Sequence, residues 1–422
     1  MNELLLITYI KHINQIRSGG LKILFKKIFK LILKSHKIIF IFLAINLFFF
    51  QRLISFFIII RIGRLRNDRF GHITTEIENY LNEKNNFNII YKKRTIDIFY
   101  KDEFESNKYF IKMRKRNINI FPTAIFKELF YLNFFLKQKK YICHSKKGDR
   151  DIYNLLDNTN TNLIFFKDEI NEGKNFLEKL GIGDNPYVCL IVRDDAYFSY
   201  KPLSDYRNSD IINFIPAINF LTLNGYYVIR MGAKVKNKLE LNNNKFIDYA
   251  SSSFRNEFLD IFLGANCIFS LGTSTGFDGI PMSSRKPLVI TNYVPIGLFP
   301  SWSEKIIAIF KHHKCEYTKK RLSLKNVINN GLLLAVDGNE YFHKGITLEE
   351  NSSVEILDAT IEMHEKITGK WKFQEDQKIQ SEKFLKLFPT KIKDRDGIKL
   401  HGKIKSQIGY QFIKKNPYFL NN

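Results

Sequence analysis

Residues 267–281 read CIFSLGTSTGFDGIP. Four of the first five are apolar and the run is of strand length, which predicts a buried strand over 267–271. Gly272, Thr273, Ser274, Thr275 and Gly276 break that pattern, and a short helix is predicted after them. Small residues let a backbone approach a ligand closely. Hydroxyls and unpaired N–H groups at a helix start suit a phosphate, and in open α/β sheets ligands sit beyond the carboxyl ends of the strands. A sugar-nucleotide diphosphate is the natural occupant of such a bend, provided that the bend lies at an open edge. The plainer alternative is a strand-to-helix turn with a hydroxyl cap. No GK[ST] follows, so this is not a Walker loop.

To either side the chain alternates. YVCLIVR (187–193), YYVIRM (226–231), FIDYA (246–250) and KPLVIT (286–291) read as strands, and 208–224 and 254–265 as helices. Strands separated by helices of this length predict a parallel, doubly wound α/β sheet. Toward the N-terminus, RFGHITTEIENYL (69–81) reads as a Gly-containing loop entering a helix, FNIIY (87–91) and IDIFY (96–100) as strands, and 121–140 as an aromatic helix. Beyond 291 the chain to 369 reads as mostly helical, with a clear amphipathic helix over 354–369. The tail, 370–422, reads as helical and basic.

Three further segments put chemistry at strand or helix ends. VIRMG (228–232) closes a strand with Arg230 and Gly232, where an arginine fork can hold a phosphate; an ion pair to Asp248 or Asp260 is the structural alternative. In VRDDAYFSYKPLSDYRN (192–208), Arg193, Asp194 and Asp195 leave a strand into a polar loop, and Asp205, Tyr206, Arg207 and Asn208 precede the next helix. Asp194 or Asp205, if buried, is a candidate base for an acceptor hydroxyl; helix capping by Asp205 and Asn208 is the alternative. FGH (70–72) opens the first helix of the N-terminal domain and offers His72 as another base, although a lone histidine at a loop–helix junction is commonly structural. Asp149-Arg150-Asp151 and Asp394-Arg395-Asp396 follow no strand and His312-His313 reads as surface, so no metal and no cofactor is assigned.

The 422 residues carry a net charge of +24, unevenly placed. Residues 1–69 hold 13 basic and 2 acidic side chains, 186–300 hold 11 and 9, and 370–422 hold 13 and 5. The near-neutral middle argues against a nucleic-acid groove, and the basic ends favour an anionic membrane surface. KILFKKIFKLILKSHK (22–37) reads as a basic amphipathic helix suited to lying on lipid. IIFIFLAINLFFFQRLISFFIII (38–60) is long enough to span a bilayer, which needs ~20 apolar residues, but Arg52 interrupts it and both flanks are basic. A monotopic, cytoplasm-facing anchor, a true span and a buried core helix are the three readings open, the first being favoured. The four cysteines are far apart, with no CxxC, which fits a reducing compartment.

IVRDDAYFSY, DYRNSDIINFIPAINFLTLNGYYVIRMG, FIDYASSSFRNEFLDIFLGANCIFSLGTSTGFDGIP and KPLVITNYVPIG occur in this order, flanked by RFGH near 70 and IGYQFIKKN at 408–416. This set resembles a family of bacterial glycosyltransferases from surface-polysaccharide gene clusters, over about 60–420. The resemblance implies a GT-B-like α/β fold of two Rossmann-like domains, here with an N-terminal hydrophobic helical segment and a helical C-terminal tail. The implied division is 1–60 membrane-associating helices, 61–185 acceptor side, 186–330 donor side and 331–422 helices packing back on both. It also implies one motif containing Arg193, Asp194, Tyr197, Asp205, Tyr206, Arg207 and Asn208, and a donor side containing Arg230, Gly232, Asp248, Tyr249 and the Gly272–Gly276 loop. Ile191 departs from the pattern: a histidine is common there in relatives, so a catalytic imidazole would fall to His72. The expectation is a metal-independent transfer of sugar from a nucleotide-sugar donor to a glycan or lipid-linked acceptor, at the cytoplasmic face of the inner membrane, with no nucleic-acid partner. A sugar-nucleotide epimerase using the same cleft, or a non-enzymatic basic membrane- or nucleic-acid-binding protein, is the rival.

Overall fold

The computed structural model describes residue 20 and residues 37–86, 94–143, 149–196, 202–394 and 397–421. Within these, the chain forms two compact units. The smaller comprises residues up to 65 with 89–103 and 118–144; the larger holds 66–88, 104–117 and everything from 145 onward.

The smaller unit is built on three parallel strands, β1 (Ile58–Leu65), β2 (Arg94–Lys101) and β3 (Asn119–Phe121), in the order β1-β2-β3. Helix α1 (Lys37–Ile54) precedes β1, and α4 (Thr123–Phe135) follows β3. The apolar run of 38–60 is thus divided. Its first part is helix, and its last residues, Ile58, Ile59 and Ile60, begin β1 because β-branched isoleucines suit a pleated, half-buried strand. The segment 22–36 and FNIIY (87–91) lie outside the described residues. Of the aromatic stretch read as one helix over 121–140, only 123–135 is α-helical.

The larger unit holds α2 (Phe70–Asn86), α3 (Lys108–Arg114), α5 (Lys167–Lys179), β4 (Tyr187–Ile191), α6 (Ile215–Leu223), β5 (Tyr227–Arg230), β6 (Phe246–Ile247), α7 (Glu257–Asn266), β7 (Ser270–Gly272), α8 (Gly279–Ser283), β8 (Leu288–Tyr293), β9 (Ile306–Phe310), β10 (His312–Cys315), α9 (Leu324–Asn329), α10 (Gly338–Phe342), β11 (Ile346–Glu349), α11 (Ser353–Ile367), α12 (Glu375–Leu387), β12 (Gln407–Ile408) and α13 (Tyr410–Lys415). Seven strands make one parallel sheet ordered β12-β9-β8-β7-β4-β5-β6. Strand β4 shows why its sequence is apolar throughout. Val188, Leu190 and Val192 enter one core with α6 and α11, while Tyr187, Cys189 and Ile191 enter another with α5 and α7. A parallel sheet covered on both faces needs apolar residues at every position.

The stretch beyond 291 is less helical than its sequence implied. Strand β9, IIAIF, extends the main sheet, and β10 pairs antiparallel with β11. His312 and His313 are buried on β10 rather than on the surface. His312 sits between Glu355 and the hydroxyl of Tyr418, 2.5 Å away, and burial holds the His313 imidazole down near 4. The basic tail is not wholly helical either, since it supplies β12, whose Gln407 and Ile408 register against Ile307 and Ala308.

The division into units also runs elsewhere than the boundary near 185. Helix α2, expected in the N-terminal domain, packs in the larger unit. Its start presents Gly71, Thr74 and Thr75 to Gly276 and Gly279, and Ser283 Oγ donates to the Thr74 carbonyl. Small residues on both sides allow that approach. One turn on, the buried Glu78 is clasped by Arg114 and Arg285 at 3.2 and 2.9 Å.

Candidate functional site

The strand order reverses between β4 and β7: β4, β5 and β6 run one way across the sheet and β7, β8 and β9 the other. A crevice opens outside the carboxyl ends of strands at such a switch point. Here those ends deliver Arg193 from β4 and the 272–276 bend from β7. They are joined directly, because the Arg193 N–H donates to Thr273 Oγ1 at 2.8 Å.

The bend is buried at Gly272 and Thr273, partly exposed at Ser274 and Thr275 and exposed at Gly276. It therefore lies at an open edge. Part of it is internally satisfied, as the capping alternative anticipated. Thr275 Oγ1 accepts from the Phe277 N–H, and the Thr275 N–H donates to Asp278 at 2.7 Å. Burial pushes the Asp278 carboxyl up to about 7. Ser274, at φ 60°, turns the chain, and the amides of Ser274 and Gly276 have no acceptor among the described residues.

Two arginines adjoin the bend, and a buried lysine is linked to one of them through Asn208. Arg207 donates to the Ser274 carbonyl at 2.8 Å. Arg193 Nε reaches the Asn208 side-chain oxygen at 3.3 Å, and the buried Lys311 ammonium donates to the Asn208 carbonyl at 2.6 Å. Asn208 thus ties Arg193 to Lys311. Burial, and then the neighbouring Arg207 charge, lowers Arg193 to about 10; burial lowers Lys311 to about 8, partly offset by Glu350. Desolvated like charges held together favour an anion between them.

Helix α2 begins against the same bend. A Cβ on Gly276 would lie 2.8 Å from the Gly71 nitrogen, and one on Gly71 would lie 3.1 Å from the Gly276 Cα. His72 is consequently beside the bend. Arg66 Nη2 lies 3.1 Å from its Nε2, and Glu76 lies 3.0 Å from its Nδ1. The guanidinium can only donate, so the Nε2 lone pair is taken by Arg66 here, and Glu76 beside Nδ1 favours that tautomer; a substrate hydroxyl would have to displace Arg66 to reach Nε2.

Other residues singled out in the sequence are placed differently. Arg230 is buried in an ion pair with Asp248 at 3.2 Å and donates to the Asn237 carbonyl. Asp248 also accepts from the Leu239 N–H and the Ser251 hydroxyl. The side chain of Tyr249 is buried and its hydroxyl exchanges hydrogen bonds with Asn256. These three shape the fold at the ends of β5 and β6, which was the ion-pair alternative. Asp194 accepts from the Ala196 and Lys236 amides, so it orders its loop. Asp205 is exposed and bonded to Asn208, without the burial sought for a base. Tyr197 lies outside the described residues. Gly232 stands by an open cleft of about 720 Å³ lined by Ala196, Lys234, Lys236, Lys238 and Ser251 among others. The Arg150 guanidinium is buried and donates to the Leu298, Phe299 and Leu400 carbonyls.

Lys311 was not singled out from sequence. Its signal was present, since IIAIFK ends an apolar run with a cation as VIRMG does, but the region was read as helical.

No family model and no curated protein matches the chain. Solved structures similar to it include the Escherichia coli ADP-heptose LPS heptosyltransferase II (12% identity, 59% of this chain and 90% of that one, TM-score 0.35). A glycosyl transferase family 9 protein from Veillonella parvula is 10% identical over 72% of this chain and 96% of its own, with a TM-score of 0.43. The E. coli heptosyltransferase WaaC with ADP-2-deoxy-2-fluoro heptose is 11% identical over 59% and 92%, with a TM-score of 0.28. At these values the likeness carries no argument about chemistry.

Proposed function

We propose that the protein is a glycosyltransferase that moves a sugar from a nucleotide-sugar donor to a glycan or lipid-linked acceptor of a bacterial surface polysaccharide. One observation carries this reading: at the strand-order switch point, Arg193 and Arg207 meet an open bend of small and hydroxyl residues, and Asn208 links Arg193 to the buried Lys311. The donor diphosphate lies against the Ser274 and Gly276 amides, and the two guanidiniums take its charge. Such preorganised positive groups stabilise a nucleoside diphosphate as it leaves, so they can act without a metal. The nucleoside extends over the ends of β5 and β6 into the cleft beside Gly232. His72, with Glu76 beside its Nδ1, takes the proton of the acceptor hydroxyl at Nε2 once that hydroxyl displaces Arg66. The enzyme works at the cytoplasmic face of the inner membrane, where lipid-linked acceptors are found.

The test is a thermal-shift panel of UDP-, GDP-, CMP- and dTDP-sugars at millimolar concentration on the full chain. Removing residues 1–60 would take away α1 and the start of β1, and with them part of the smaller unit's core. A stabilising hit that disappears in Arg207→Ala is expected. A flat panel would remove the donor site.

A further inference from the structure

We infer that α1 does not cross the bilayer but lies in its surface, fixed to the sheet of the smaller unit, with a phenylalanine-rich face turned into anionic lipid. The helix is inside-out. The side that packs on the protein holds Ala44, Leu47 and Phe48 together with Gln51 and Arg52. Gln51 donates to the Ile60 carbonyl at 2.6 Å and accepts from Asn133, and Arg52 donates to Asn133 at 2.7 Å while stacking on Phe48 and Tyr141. The other side exposes Ile38, Phe42, Ile45, Phe49 and Leu53, spaced three or four residues apart, and Phe56 continues the row past the helix end; Leu53 is 76% and Phe56 73% exposed, and the exposed Asn46 among them donates to the Phe42 carbonyl at 2.8 Å. A helix that turns Gln51 and Arg52 inward and an apolar stripe outward, with its one exposed amide bonded to its own backbone, faces a medium less polar than water.

That medium cannot surround the helix. Ala44, midway along α1, is 1% exposed and shares a core with Ile62 of β1, Tyr100 of β2 and Leu129 of α4. For α1 to span, this sheet would have to enter the hydrocarbon with it, and open sheet edges do not occur there. Asn133 bridges α1 to α4, whose end carries the exposed Phe134, Phe135 and Leu136, followed by the exposed Lys137, Lys139 and Lys140. Lys37 begins α1, and Lys22, Lys26, Lys27, Lys30 and Lys34 precede it in sequence. Apolar side chains rimmed by lysines suit a bilayer with anionic headgroups. Arg52, the obstacle to a span, is here the residue that holds the helix down.

Single cysteines replacing Lys37 and Ser55, in a Cys315→Ser background, report the geometry in the full chain bound to vesicles of phosphatidylcholine and phosphatidylglycerol. A membrane-impermeant maleimide added outside should label both ends equally. Labelling of position 37 only after the vesicles are opened would mean a span and overturn the inference. Binding should fall at least ~tenfold in Phe49→Asp/Leu53→Asp and on pure phosphatidylcholine, with the melting temperature of the variant retained. A chain that ignores vesicles and dimerises in solution, becoming monomeric in the same variant, would make this face a protein interface and equally overturn it. No sugar nucleotide enters these measurements, so they and the donor-binding test can fail separately.

Discussion

Gly71 and Gly276 meet backbone to backbone, two hundred residues apart in sequence, and neither has room for a methyl group against the other. The contact sets His72 beside the 272–276 bend. Gly276→Ala should destabilise the larger unit by ~1–3 kcal/mol, the usual cost of overpacking, because the obstacle is the Gly71 backbone and cannot swing away. Calorimetry measures this. A melting temperature equal to that of the unaltered chain would show that the two segments do not meet.

Arg207, in the loop after β4, and Arg230, at the end of β5, should behave oppositely. Arg207→Ala is expected to weaken donor binding about 10- to 100-fold, the value of a charge-assisted contact, with little change in melting temperature. Arg230→Ala removes one half of a buried pair and should cost ~3–5 kcal/mol of stability. Titration calorimetry and thermal melts on both variants separate the two roles; a reversed outcome would return Arg230 to the donor.

Lys311 gives donor binding a pH dependence. Burial lowers its ammonium to about 8, so it is charged below that pH and neutral above. Affinity for an anionic donor should therefore decline as pH rises through 8, and Lys311→Met should abolish the decline. The stability effect has the other sign. The folded value lies below the unfolded one, so the unfolded chain binds more protons between about 8 and the ordinary lysine value of ~10.4. The penalty is complete below 8 and relieved as pH climbs through that window. An unchanged pH profile in the variant would exclude Lys311 from the site.

His72→Gln should lower kcat by ~10²–10⁴ and leave donor affinity intact. Glu76→Gln should have a smaller effect in the same direction, since Glu76 only positions the imidazole. Loss of donor affinity in His72→Gln without loss of kcat would assign the residue to binding.

Strands such as β4 and β8 were legible because a parallel strand buried on both faces leaves an uninterrupted apolar run. The bend after β7 was legible as a turn because a run of glycine and hydroxyl residues breaks the strand pattern, and both a cap and an open edge were compatible with it. What sequence left open was partnership. Arg230 closes a strand and Arg207 a polar loop, both open to an anion by sequence, and only the folded chain gives the first to Asp248 and the second to Ser274. The same limit hid α2's place, because glycine and threonine on a helix face mark a close approach without naming what approaches. β9 was missed since IIAIF fits a helix or a strand equally by periodicity.

Strand β12 closes the sheet with residues 407 and 408, near the end of a 422-residue chain. During synthesis on a ribosome the flank of β9 therefore stays uncovered until about a hundred further residues, those between β9 and β12, have been made. The smaller unit, complete by residue 144, has emerged long before that. A nascent chain following this order would settle on its lipid while its sheet was still waiting for a last strand.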